Sequence, residues 1–382
     1  MRTGIIGAIF LAMGGVLIAT GVLPVSDAIA VGERVWPILV FVVAITIVTE
    51  LAAEAELFRV IAERTARWGG GRTWLLWLFV VALAVASTVF LSLDTTAVLL
   101  TPVVVILARH IGVPPIPFAL TTVWLANTGS LLLPVSNLTN LLAEHELDGI
   151  GPLGFARLMV LPAVVAVVVP SIVILVIYRS ALLTRYRADA ETPVADRTLL
   201  IASGAVVVAL VPALVSGVPV WIPSSMAALI LVGFFAVRRP VVLRPTLVPW
   251  QVVLLASGLF LVVETGHSLG LTDVLAAVSG SGTDLPSLLR LAGTGAAGSN
   301  LVNNLPAYLA LEPVAGDPVR IAALLIGVNA GPLITPWASL ATLLWHERVT
   351  GLGVEISWWK YAGLGLIVVP VTLFLAVLVL AI

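Results

Sequence analysis

The stretch ANTGSLLLPVSNLTNLL (Ala126–Leu142) recurs 202 residues later as VNAGPLITPWASLATLL (Val328–Leu344). Asn127/Asn329, Gly129/Gly331, Leu131/Leu333, Pro134/Pro336, Leu138/Leu340, Leu141/Leu343 and Leu142/Leu344 are identical. Seven identities in the sixteen positions from Asn127 exceed apolar drift, because Asn, Gly and Pro are among them. Gly and Pro inside an apolar run interrupt a helix. The chain therefore carries two matched, broken helices.

Composition says what surrounds them. The 382 residues are 60% hydrophobic and 10% charged, with a mean hydropathy of +1.16. A soluble chain has about 45–50% apolar and about 25% charged residues. Too few charges remain to cover a water-exposed surface, which excludes a soluble enzyme. Apolar runs of about 20 residues recur from end to end, the length that spans a bilayer as a helix. The alternating ten-residue segments of a lipid-spanning barrel are not seen. The net charge of −1 excludes an electrostatic nucleic-acid binder. With zero cysteines, disulfides, thiolate metal sites and thiol catalysis are excluded. The expected fold is an all-α polytopic membrane protein.

The start of the chain reads as an uncleaved first helix, since the apolar run Gly4–Val22 is too long for a secretory h-region. Arginines cluster between spans at Arg59, Arg64, Arg67 and Arg72, then Arg179, Arg185, Arg187 and Arg197, then Arg238, Arg239 and Arg244. The positive-inside rule puts all three clusters, and the N-terminus, in the cytoplasm. The acidic stretches Glu144–Asp148 and Glu312–Asp317 then lie outside. Two apolar segments, Trp74–Arg109 and Leu285–Glu312, are broken by SLDTT (Ser92–Thr96) and GSNLVNNLP (Gly298–Pro306). They read as re-entrant helical hairpins with arms too short to cross, since exposed irregular backbone is not tolerated in lipid. Five spans separate them, so the hairpins enter from opposite faces; nine spans are expected in all. The layout is 1–34, a first helix and loop; 35–178, a first repeat (hairpin about 74–109, broken helix about 116–145); 179–245, connecting helices; and 246–382, a second repeat (hairpin about 285–312, broken helix about 320–345). A further offset of 210 sets Asp94 on Asn304.

Inverted repeats with paired broken helices mark secondary transporters, with the solute held between the breaks near the midplane. Any single break could be a kink; four in two matching pairs point to a binding site. Asp94 is the one acid near the membrane centre, where an intramembrane carboxylate is a functional candidate by default. Water loss there makes it a candidate proton carrier; capping of the second hairpin arm, with Thr95 and Thr96 opening that helix, is a compatible reading. The other candidates for substrate binding or coupling are uncharged: Asn127, Gly129, Ser130, Ser136, Asn137, Ser299, Asn300, Asn303, Asn304, Asn329, Gly331, Thr335 and Ser339. Hydrogen bonding between helices is the competing role for such side chains. Glu50 and Glu264, ending matched spans, read as interfacial, as do Trp36, Trp68, Trp250, Trp345, Trp358 and Trp359. The four histidines share no metal-ligand spacing, no ATP-binding loop is present, and no cofactor, metal or catalytic constellation is expected. No Arg or Lys is expected near either tip or either broken span, which favours a neutral polyhydroxy solute over a multiply charged anion.

At GVNAGPLITPWASLATLLWHE (Gly327–Glu347), ISWWKYAGLGLIVVPVTL (Ile356–Leu373), NTGSLLLPVSNLTNLL (Asn127–Leu142) and NNLP (Asn303–Pro306) the chain resembles the arsenite/antimonite efflux permeases of the ion transporter superfamily. The resemblance covers nearly the whole chain in order. It implies proton-driven efflux of arsenite or antimonite across the cytoplasmic membrane and arsenical resistance. It also implies a separate cytosolic ATPase subunit in some cases and dimerisation through outer helices. Sodium- or proton-coupled dicarboxylate and citrate carriers are relatives within the superfamily, and an anion carrier of that kind is the alternative. The chain departs from the family pattern at Leu93-Asp94, where Asn-Asp is usual, and at Gly327–Leu333, where GCDLGPK is frequent.

Overall fold

A computed structural model describes residues 2–147, 150–187 and 193–382, so Asp148, the end of one acidic stretch, lies outside the described residues. The helices are α1 (Arg2–Ala19), α2 (Val25–Glu54), α3 (Leu57–Trp68), α4 (Thr73–Leu91) and α5 (Leu93–His110). Next come α6 (Ile116–Thr128), α7 (Leu138–Glu146), α8 (Gly151–Ile177), α9 (Arg197–Leu214) and α10 (Trp221–Arg238). The chain then forms α11 (Trp250–Ser268), α12 (Leu271–Ser279), α13 (Leu285–Leu301), α14 (Asn304–Ala315), α15 (Pro318–Ala330), α16 (Leu340–Gly351) and α17 (Trp358–Leu380). Eight helices among the described residues are long and apolar enough to cross a membrane.

The series α2, α3, α4/α5, α6/α7, α8 is repeated as α11, α12, α13/α14, α15/α16, α17. Both members of the second series's broken span begin 202 residues after their counterparts, at 318 against 116 and 340 against 138. The breaks share a local cause. Leu133 and Thr335 each precede a proline, which disfavours helical backbone, and both are extended, at ψ 151° and 148°. Asn137 and Ser339 are extended again before the second half-helix starts. At 13 and 9 residues, α6 and α7 span about 20 and 14 Å, so neither crosses alone. Residues 117–128 and 320–330 are buried throughout, so the broken spans form the centre of the bundle.

Each hairpin turns at a non-glycine residue with positive φ: Ser92 (118°) and Asn303 (154°). Thr88, four residues before the first turn, bonds to Thr96, four after it, at 2.8 Å. The arms α4 and α5 therefore fold back on each other, and α3 packs against both. In the same way α12 packs against both α13 and α14. The first hairpin corrects one expectation: its arms have 19 and 18 residues, long enough to cross, so it is the reversal at Ser92 that makes it re-entrant. The second correction is register. The two turns are 211 residues apart, which pairs Leu93 with Asn304 and leaves Asp94 opposite Leu305.

The arginine-bearing stretches meet at one end of the bundle. Arg238 pairs with Asp196 at 2.8 Å, Arg239 donates to the Glu54 carbonyl at 3.1 Å, and Arg72 bridges Arg185 through the backbone. Arg109, at the foot of α5, donates to the carbonyls of Leu352 and Gly353. This is called the basic side. At the opposite, acidic side Arg34 pairs with Glu312 (2.6 Å) and Glu146 (3.0 Å), and Tyr308 donates to Glu312 at 2.7 Å. Helix α1 lies along α11 with backbone nearly touching backbone: a Cβ on Gly258 would stand 2.4 Å from the Leu11 nitrogen. Not every tryptophan is interfacial; Trp345 is fully buried and donates to the Ala119 carbonyl.

Candidate functional site

Both hairpin tips and both breaks converge on one cavity of about 100 Å³ in the middle of the bundle. Its apolar wall comes from Phe41 and Ile45 of α2 and Leu255 and Leu259 of α11. Its polar wall is Ser92 and Asp94 from the first tip, Asn303 and Asn304 from the second, and Ser136, Asn137 and Ser339 from the breaks. Ser92, Asp94, Val42, Thr46 and Val252 also line a vestibule of about 370 Å³, together with Thr95, Glu50, Arg348 and residues 246–251. Those last residues follow Arg244, so the vestibule faces the basic side. On the other side of the cavity stands the Arg34–Glu312–Glu146 cluster.

Asp94 occupies the wall between cavity and vestibule. The expectation that it caps α5 is not met: the Ser92 hydroxyl accepts from the Thr95 amide instead, at 3.4 Å. Among the described residues no side chain pairs with the Asp94 carboxylate, so the acid faces the two open spaces. An unpaired intramembrane acid with access to both is placed to bind and release a proton or a cation.

The predicted residues divide into those at the cavity and those engaged elsewhere. Asp94, Ser136, Asn137, Asn303, Asn304 and Ser339 line the cavity, and Thr95 lines the vestibule. Thr96 is turned inward to Thr88. Ser299 bonds back to the Gly295 carbonyl at 2.9 Å. Asn300 donates to the Gly331 carbonyl (2.8 Å) and accepts from the Thr335 amide (2.9 Å) and hydroxyl (2.8 Å). That clamp fixes the second hairpin to the second break. Gly331 allows the contact, since a Cβ there would lie 2.7 Å from Ala296. Gly129 has no such constraint; its nearest neighbour would be 3.8 Å away.

Asn127, Ser130 and Asn329 sit behind the cavity in a buried network. Asn127 Nδ2 donates to the Val123 carbonyl (2.9 Å) and to Thr342 Oγ1 (3.3 Å). Asn329 Nδ2 donates to the Leu325 carbonyl (2.9 Å) and to Asn140 Oδ1 (3.2 Å). Each partner is the other's counterpart at an offset of 202, so the two repeats are stitched by a reciprocal pair of bonds. Asn329 Oδ1 also accepts from Asn137 Nδ2 (2.5 Å) and Ser130 Oγ (3.3 Å).

Sequence reasoning missed Ser92, Glu50 and Arg348. Ser92 was visible as the first residue of SLDTT. Arg348 overturns the expectation that no basic residue lies near a broken span: it sits in the last turn of α16 and lines the vestibule that Glu50 and Asp94 also line. Arg320 does so as well, buried and bonded to the carbonyls of Ala315, Gly282 and Gly280. Glu50 faces the vestibule, whereas its counterpart Glu264 lines a small cavity on the acidic side with Arg34 and Glu312.

Comparison with known proteins agrees with this architecture. The profile of the family described as citrate transporter matches residues 3–342. The "Arsenical pump membrane protein" of Escherichia coli (strain K12) is 31% identical over 396 residues, covering 97% of this chain and 92% of that protein. The protein of that name from Yersinia enterocolitica is 31% identical over 390 residues, covering 95% and 90%. Among solved structures, the Alcanivorax borkumensis YdaH transporter, whose topology is described as unusual, superposes with a TM-score of 0.62. It shares 15% identity and is covered over 98% of its length, which shows a common fold. The chain is accordingly a multi-pass membrane transporter and belongs to the citrate transporter (CitMHS) family of the ion transporter superfamily, to which its arsenical-pump relatives also tie it along nearly its full length.

Proposed function

We propose that this transporter exports trivalent arsenic or antimony hydroxide across the cytoplasmic membrane in exchange for protons. One observation carries the coupling: Asp94, an acid without a side-chain partner among the described residues, stands where the central cavity meets the vestibule of the basic side. Arsenous acid is an uncharged trihydroxide near neutral pH, and it suits a cavity whose other polar groups are hydroxyls and carboxamides. The relatives named as arsenical pump membrane proteins support the same solute. In this reading residues 35–178 and 246–382 act as the two repeats around the site. The N-terminus and basic side face the cytoplasm, by the positive-inside rule. A cytosolic ATPase subunit would dock on that side, and a homodimer would pack through the outer faces of α9 and α10.

Everted vesicles test it. Arsenite uptake that vanishes when a protonophore collapses the pH gradient is expected; uptake indifferent to the gradient rejects proton coupling. Arg348 in the vestibule favours a second reading, an organic-anion carrier, in keeping with the family's description. Sodium-dependent citrate binding to the purified protein would support that reading and not the first.

A further inference from the structure

Three cavities lie in series along one face of α2. Arg34 and Ile38 line a cavity of about 410 Å³ on the acidic side, Phe41 and Ile45 the central cavity, and Thr49 the vestibule on the basic side. Spacings of 4, 3, 4 and 4 residues put these five side chains on a single stripe of the helix. From Glu33 on the first cavity to Glu50 on the last, α2 rises about 26 Å, close to the hydrocarbon thickness of about 30 Å. Helix α7 shows the same order: Leu138 on the central cavity, Leu141 on both, Glu144 and His145 on the acidic-side cavity. The mouth of that cavity, at Glu33, His145 and Val218, is exposed, whereas Ile38 and Leu141 at its floor are buried.

The repeat accounts for this placement. Glu50 and Glu264 are counterparts at an offset of 214, which sets residues 33–38 on 247–252. At the offset of 202, Leu142 and Glu146 match Leu344 and Arg348. Residues 246–252, Leu344 and Arg348 line the basic-side vestibule; Glu33, Arg34, Pro37 and Ile38, with Leu141 and Glu144, line the acidic-side cavity. Matched segments of matched helices therefore build both, and an inverted repeat sets the two on opposite faces. They differ in how they meet the centre. Val42, Thr46, Ser92, Asp94 and Val252 line both the central cavity and the basic-side vestibule. On the acidic side Leu141 alone, among the described residues, lines both. Ile38 and Phe41, on either side of that barrier, are separated by about 4.5 Å along α2, one layer of side chains. The small cavity at Glu264 and Glu312 shares no lining residue with the central one.

Resting on the export proposed above, we infer that the acidic-side cavity is the outer vestibule by which the solute leaves, and that Leu141 is the gate between it and the binding cavity. An apolar side chain at a constriction holds back water and polar solutes by dewetting until it is moved aside. Leu141 sits on a half-helix that starts at the extended Asn137 and ends at Glu146, which pairs with Arg34 of α2 at 3.0 Å. The gate thus lies between a break in the backbone and an ion pair that holds α7 against α2. The structure is open from the centre toward the basic side and closed by Leu141 toward the acidic side.

Single cysteines in the full-length chain test it. In intact cells Ile38→Cys, on the floor of the outer vestibule, should react with a membrane-impermeant methanethiosulfonate, whereas Ile45→Cys, on the central cavity, should react slowly. Adding Leu141→Ala should speed the reaction of Ile45→Cys about tenfold, as a minor open state of about 1–10% becomes the prevalent one. Val328→Cys, buried in α15, should stay unreactive beside Leu141→Ala, which shows the bundle intact. An unreactive Ile38→Cys would overturn the vestibule. An unchanged rate at Ile45→Cys, or a faster rate at Val328→Cys as well, would overturn the gate. Ile38→Trp fills the outer vestibule and leaves the wall of the central cavity as it is. Arsenite uptake into everted vesicles should then show kcat about tenfold lower at unchanged KM; an unchanged kcat would overturn the exit path. Wild-type protein that carries no arsenite would reject the solute alone, and the labelling rates would still decide the vestibule and its gate.

Discussion

Asp94 and the asparagines behind it show how much one side chain decides in a dry interior. Asp94 is free because Ser92 supplies the helix cap two residues earlier. Asp94→Asn keeps shape and volume and removes the titrating group. The expected outcome is a folded protein that still binds arsenite but whose uptake no longer responds to pH, measured across a series of imposed gradients. Asn329 is structural by contrast. Asn329→Ala removes four hydrogen bonds and leaves the Asn137 amide nitrogen without its acceptor in the core, an orphan costing about 1–3 kcal/mol, while Asn140 keeps its bonds to the Ser130 and Leu133 carbonyls. A clear fall in melting temperature is expected, larger than for Asn300→Ala at the half-buried clamp. The residue types at these positions were legible from sequence. Which of them face solute and which face one another was not, because neighbouring residues on a helix point in different directions.

At the scale of elements, two turns and one ionic cluster set the geometry. Ser92 holds φ at 118°, a conformation costing a non-glycine residue about 1–3 kcal/mol, and its hydroxyl caps α5. Ser92→Gly relieves the strain and loses the cap, so it should change stability little; Ser92→Val adds a branched side chain to the same backbone and should destabilise strongly. Chemical denaturation in detergent compares them. The Arg34–Glu312–Glu146 cluster ties α2 to the second hairpin and to α7 on the acidic side, while the vestibule opens on the basic side. Arg34→Gln leaves Glu312 buried with the Tyr308 hydroxyl but without the Arg34 charge that balances it. The expected result is a shift toward opening on the acidic side. It would be read as faster reaction of a cysteine placed at Ile45, on the cavity wall, with a membrane-impermeant maleimide added from that side.

For the whole molecule the claim is an inverted pair of repeats around one cavity, with entry on the basic side. The native chain has zero cysteines, so single cysteines report without background. In intact cells Val218→Cys, in the turn between α9 and α10, should react with an impermeant maleimide. Thr246→Cys, on the vestibule, should react only after the membrane is everted. Labelling of both from one side would break the two-sided topology and with it the exchange mechanism.

How much of this was written in the chain itself follows from the physics of lipid. A bilayer leaves few ways to satisfy a backbone, so apolar runs, arginine clusters and paired Gly/Pro breaks were enough to read the helices, the repeat and the hairpins. The offset of 202 was visible because proline and glycine act on their own backbone wherever they stand. The partners of each polar side chain were decided only by the tertiary structure. Arg34 meets Glu312 from 278 positions away and Asn127 meets Thr342 from 215, and no local pattern encodes such meetings. The placement of Asp94 between cavity and vestibule is of the same kind: the residue was evident, and its two exposures came from helices packed around it.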